Sequence, residues 1–190
     1  MTCGIWKPVY IESFTSRIRD LDVEVRLEGQ HRAEFTAVVS VEGSEGAVTG
    51  LKVELIQPDG TVKPCGSDQT ITATHGPDGV AVARASCVVN NPDLWWPHGY
   101  GEQPLYTVRV TLGQDVQTME KRVGVRTVRL VQRPLKEEEG LTFFLEINGV
   151  PMWVGGSNWI PADSFLTTVD KEREKKWLRL AKEGNQIMVR

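Results

Sequence analysis

The side chains in this sequence best able to do chemistry are cysteines, histidines, clustered glutamates and paired tryptophans. Cys3, Cys65 and Cys87 are odd in number and widely spaced, which is not a disulfide framework. Cys65 and Cys87 can bridge if their strands are neighbours, and the spacing leaves that open. His31, His75 and His98 are isolated, and no Cys or His pair has metal-ligand spacing. Each histidine is therefore expected at the surface or in packing, with no metal and no cofactor. Glu137-Glu138-Glu139 lies in a polar loop and is expected to be solvated surface rather than a catalytic carboxylate pair. The adjacent Trp95 and Trp96 resemble a platform on which a sugar ring could stack. Their flanks, Asn91-Pro92 and Pro97-His98-Gly99, favour a rigid structural corner instead.

The 190-residue chain is 40% hydrophobic and 25% charged, an ordinary globular balance, with a formal net charge of -3. That charge supplies no basic patch, so nucleic acid is not an expected partner. No apolar run approaches the roughly 20 residues that cross a bilayer, so no membrane is expected either. The first residues lack a basic stretch followed by an apolar one, so no signal peptide is read there. The compartment is left open, with the cytoplasm preferred.

From Ser16 to Val128 the pattern is β. Leu21, Val23, Val25 and Leu27 alternate with charged residues, as one buried strand face requires. Residues 35–41, 50–56, 80–89, 105–112 and 116–123 read as further strands. Pro58-Asp59-Gly60 and Gly113-Gln114-Asp115 supply turns. Short strands closed by turn residues predict an immunoglobulin-like sandwich. The Cys…Trp…Cys pattern of antibody domains is absent, so only the architecture is predicted.

After Arg129 the character changes. Residues 143–154 read as a hairpin turning at Asn148-Gly149, a pair suited to the positive φ angles of a type I′ turn. Residues 168–183 read as a helix with Thr168 as N-cap and Asp170 at the positive end of its dipole. Trp177, Leu178 and Ala181 are expected on its apolar face, and Gly184 is placed to end it. Strands are expected at 153–160 and 186–189. This βαβ unit requires a parallel sheet and cannot by itself cover both faces of its strands.

Three stretches together resemble family 2 glycoside hydrolases, most closely the β-mannosidases. The first is Asn91-Pro92-Asp93-Leu94-Trp95-Trp96-Pro97-His98-Gly99-Tyr100-Gly101-Glu102-Gln103-Pro104-Leu105-Tyr106. The second is Gly124-Val125-Arg126-Thr127-Val128, and the third runs from Phe144 to Asp163 and includes Gly156-Ser157-Asn158-Trp159-Ile160-Pro161-Ala162-Asp163. Ser157 stands where the family commonly has alanine. The opening stretch Gly4 to Glu12 is similar to the last strand of the family's N-terminal sandwich.

The resemblance implies a mainly β chain in three parts. Residues 1–14 would be the last strand of an N-terminal sugar-binding-type sandwich, and 15–128 the immunoglobulin-like sandwich. Residues 129–190 would begin a (β/α)8 barrel that the chain leaves truncated. It makes Asn91, Pro92, Trp95, Trp96, Pro97, Gly99 and Gly101 a structural motif, with Asn158 holding the barrel-entry loop. It assigns Trp159, Asp163 and Arg190 to substrate binding at the C-terminal ends of the barrel strands. Arg190 would orient a nucleophilic carboxylate. The plainer expectation packs Trp159 under the loop, uses Asp163 to cap a turn and leaves Arg190 at the surface.

A retaining glycosidase needs two carboxyl groups roughly 5 Å apart. The resemblance puts them on barrel strands four and seven, and no glutamate here occupies either position, so this chain alone is expected to be inactive. The whole protein would take a β-mannoside substrate, and the partners of this chain would be the remaining domains of the same polypeptide. The alternatives are a non-enzymatic carbohydrate-binding or interaction module and another family 2 exo-glycosidase.

Overall fold

The computed structural model describes residues 4, 5, 7–43, 50–66, 74, 75, 80–113 and 117–190, the side chains of 74, 75 and 166 excepted. The expectations for Cys3, Gln114, Asp115 and the His75 side chain lie outside the described residues. The chain divides into two units. One comprises Ser13–Trp95 and Gln103–Thr127, and the other the described residues of Met1–Glu12, Trp96–Glu102 and Val128–Arg190.

The first unit is a β-sandwich. Its strands are β1 (Ser16–Glu28), β2 (Arg32–Gly43), β3 (Leu51–Ile56), β4 (Val62–Pro64), β5 (Thr74–His75), β6 (Val80–Asn90), β7 (Tyr106–Leu112) and β8 (Gln117–Val123). They form two four-stranded antiparallel sheets, ordered β1-β2-β6-β5 and β4-β3-β7-β8. Strict alternation along β2 buries Ala33, Phe35, Ala37, Val39 and Val41. These pack in one cluster with Val53 and Leu55 of β3 and Val108 and Val110 of β7. Burial of each Val, Leu or Phe side chain is worth about 1.5–3 kcal/mol.

Ile18 is out of phase with Leu21 and Val23, yet it is buried. A bulge between Ile18 and Asp20 shifts the register of β1 against β2 and restores Ile18 to the core face. Tyr106 opens β7 with its ring 5.0 Å from that of Phe35. Its hydroxyl accepts the Asp93 N–H at 2.9 Å, tying the strand to the preceding loop in the manner of a tyrosine corner.

Cys65 and Cys87, left open above, form a disulfide with Cα atoms 4.7 Å apart. Cys65 N–H bonds to Val53 in one sheet, and Gly66 N–H bonds to Ser86 in the other. The chain steps between sheets at this point, and the disulfide fixes the step.

The second unit begins with a three-stranded antiparallel sheet of β9 (Val128–Val131), β10 (Phe144–Ile147) and β11 (Val150–Met152), with β10 central. Asn148 and Gly149 turn it with φ of 52° and 79°, as the Asn-Gly pair predicts. A single turn of 3-10 helix follows at Leu166–Thr168, and α1 spans Lys171–Glu183. β12 (Gly156–Ser157) and β13 (Met188–Val189) flank the helix and pair in parallel. The expected βαβ order is present, with strands shorter than 153–160 and 186–189. Residues 7–14 belong to no strand, and Val9, Tyr10 and Ile11 are exposed.

The helix corrects two expectations and bears out a third. Its N-cap is Asp170, whose extended backbone lets the carboxylate accept the Arg173 N–H at 2.8 Å. Thr168 instead closes the 3-10 turn, donating its hydroxyl to Phe165 O. At the other end Gly184 is the C-cap, as expected, and Asn185 after it takes the left-handed conformation, with φ of 54°. Asn185 and Gln186 return their N–H groups to Lys182 and Ala181, the paired bonds of a Schellman closure. Finally, the apolar face toward the strands is Trp177, Leu180 and Ala181, at i, i+3 and i+4. Leu178, as exposed as Trp177 and Leu180, does not line the space between helix and strands.

Candidate functional site

Parallel pairing places like ends of β12 and β13 side by side. Ile187 N–H donates to Gly155 O at 3.0 Å, Arg190 N–H to Ser157 O at 3.1 Å and Trp159 N–H to Arg190 O at 2.6 Å. Trp159 and Arg190 thus stand next to each other at the C-terminal ends of the two strands. This approach needs Gly156, because a Cβ there would overlap the Met188 carbonyl. Ser157 Oγ donates to Gln186 Oε1 at 2.7 Å and closes the ladder on its other side.

A cavity of about 500 Å³ opens between this ladder, the loop after it and α1. Asn158, Trp159 and Ile160 line one wall, and Trp177, Leu180 and Ala181 line the other. The walls are mostly apolar, with polar groups at Asn158 and Gln186. Such a surface can take the apolar face of a ring while a few polar groups fix its orientation.

Asp163 lies at the far end of the loop and does not line the cavity. Its Oδ1 accepts the Phe165 N–H at 2.9 Å and its Oδ2 pairs with Arg173 Nη2 at 3.0 Å. The Phe165 N–H is the main reason its carboxyl is held below the ordinary aspartate range, with the Arg173 charge adding to it.

Trp95 and Trp96 are each seated on a glycine. A Cβ on Gly124 would come within 2.9 Å of Trp95, and one on Gly101 within 2.9 Å of Trp96. Arg126 lies over the Trp95 ring at 4.4 Å. Trp95 N–H bonds to Val125 O, and Trp96 N–H bonds to Glu102 O, each at 2.9 Å. Pro92 and Pro97 are buried, while Asn91 and Gly99 take positive φ at the turns. The acidic run 137–139 is exposed.

The structure therefore gathers Asn158, Trp159 and Arg190, sets Asp163 apart, and brings in four residues that sequence reasoning did not assign to a site, three lining the cavity and one holding Asp163. These are Trp177, Leu180, Gln186 and Arg173. Helical spacing signalled the first two, and no local pattern marks the others.

Residues 16–126 match the family model described as glycosyl hydrolases family 2, and the chain belongs to that family. Among its relatives it is 39% identical to Beta-mannosidase B of Aspergillus terreus and 38% identical to Beta-mannosidase B of Thermothelomyces thermophilus. Both alignments cover all of this chain and 22% of the relative, so the chain spans about a fifth of the relatives' length. The solved structure of Beta-D-Mannosidase from Dictyoglomus thermophilum superposes with a TM-score of 0.70 at 29% identity, covering 92% of this chain and 21% of that one. The Parabacteroides merdae Beta-Glucuronidase superposes with a TM-score of 0.69 at 16% identity, which shows the shared fold alone.

Proposed function

We propose that this chain is part of a retaining β-mannosidase that removes terminal, non-reducing β-D-mannose residues. In this reading residues 1–14 close an N-terminal sandwich, and 15–128 form the immunoglobulin-like spacer. Residues 129–190 open the catalytic (β/α)8 barrel, with β12 and β13 as its first two strands. The observation that carries it is the match of the whole chain to two Beta-mannosidase B proteins at 38–39% identity. The parallel β12–α1–β13 unit supports it, since a barrel enzyme keeps its site at the C-terminal ends of its strands, where Trp159 and Arg190 lie here.

Trp159 offers an indole face to the pyranose, and Arg190 holds the nucleophilic carboxylate ionised and oriented. The two catalytic glutamates belong to later strands of the same polypeptide. The test is hydrolysis of p-nitrophenyl β-D-mannoside by the polypeptide carrying this chain with its remaining domains, beside the β-glucuronide and β-galactoside. Mannoside cleavage with retained anomeric configuration is expected, and preference for another glycoside sinks the assignment. The 190-residue chain at millimolar mannoside is expected to release no p-nitrophenol above buffer.

A further inference from the structure

The loop from Trp159 to Asp163 is fastened at both ends. At its start the Trp159 N–H is held by Arg190 O at 2.6 Å. At its end Asp163 receives the Phe165 N–H at 2.9 Å and the Arg173 guanidinium at 3.0 Å. The same Arg173 nitrogen lies 3.4 Å from Ala162 O. Arg173 is itself anchored, because Asp170 caps its backbone N–H at 2.8 Å. Ile160, by contrast, is 79% exposed.

We propose that Asp163 and Arg173 are positioning residues for the sugar site. Their ion pair fixes the far end of this loop to α1 and so sets the orientation of the Trp159 indole. The proposal rests on the β-mannosidase reading and deepens it. Ile160, Pro161 and Ala162 carry no side-chain donor or acceptor; Pro161 stiffens the middle of the loop, and the contacts at its two ends set how that stiff piece lies. Releasing one end restores backbone freedom to several residues, and a displaced indole no longer meets the ring. Both contacts are made by one terminal nitrogen, Arg173 Nη2, whose two N–H groups can serve the carboxylate and the neighbouring carbonyl together. Stacking on a pyranose is similar in the ground and transition states, so its loss falls on KM rather than kcat.

The experiment is a kinetic cycle on p-nitrophenyl β-D-mannoside, using the polypeptide that carries this chain with its remaining domains. R173M and D163N are each expected to raise KM roughly fivefold to twentyfold, with kcat within about twofold. R173K is expected to recover part of the loss. In a W159A background, R173M is expected to add no further increase, because the indole through which it acts is gone. An unchanged KM in R173M, or a full additional increase on top of W159A, overturns the proposal. Melting temperatures identify any variant that fails to fold, in which case R173K and D163N carry the test. A wild-type enzyme that cleaves a different glycoside overturns the mannoside assignment alone, and the same cycle is then read with that glycoside. A wild-type enzyme that cleaves none overturns both.

Discussion

Gly124 and Trp95 are packed so closely that a methyl group on the glycine would lie 2.9 Å from the indole. Arg126, two residues on, lies over the Trp95 ring at 4.4 Å. The Gly124-Val125-Arg126 stretch and Trp95, separated in the sequence, are therefore two parts of one packing unit. Gly124→Ala is expected to destabilise the sandwich by about 1–3 kcal/mol through overpacking. Arg126→Ala, which removes an exposed cation–π contact, is expected to cost only about 0.5–1 kcal/mol. Chemical denaturation of both variants checks the order, and equal losses would mean that the ring is not held by the glycine.

The Cys65–Cys87 disulfide joins residues 22 apart where the chain crosses between sheets. Both sulfur-bearing residues are buried. Reduction is expected to lower stability by about 3 kcal/mol, chiefly by freeing the unfolded chain. Thermal melts with and without reductant measure this, and alkylation followed by mass analysis should find both residues protected until reduction. Alkylation of both in the unfolded, unreduced protein would show that the bond is absent.

Asp163 is held below the ordinary aspartate pKa, first by the Phe165 N–H and then by Arg173. Because the folded value is depressed, the contribution of this contact is fully present above the unfolded value of roughly 3.9. It is lost as pH falls through the lower folded value. In Arg173→Met the Asp163 carboxyl, followed by NMR titration, is expected to rise only part of the way toward the ordinary range. Complete return would make the ion pair, and not the backbone N–H, the principal cause.

Residues 13–128 include the whole of the sandwich core cluster. The β12–α1–β13 region, by contrast, leaves Ile160 79% and Phe165 64% exposed, and no α1 residue is buried. A polypeptide of residues 13–128 is expected to unfold in one cooperative step and to stay soluble at concentrations where the 190-residue chain aggregates. Light scattering and thermal melts compare them, and equal solubility with identical single transitions would refute the division.

Residue order alone was enough to show six of the sandwich strands, though not the short β4 and β5, together with the Asn148-Gly149 hairpin and the βαβ order. Each is written in a local period or turn dipeptide. The alternation of Ala33, Phe35, Ala37, Val39 and Val41 places one strand face in the core whatever its partner. Cap positions were less legible, because Thr168 and Asp170 are both competent caps and the choice depends on where the preceding 3-10 turn ends. Tertiary structure decided the phase of Ile18, the Cys65–Cys87 bond, the seating of Trp95 on Gly124, and the separation of Asp163 from the cavity lined by Trp159. The physical reason is common to all four. A local pattern states which side chains avoid water, whereas contacts between residues distant in the chain depend on strand register and on how each loop is tied down, and no local period encodes either.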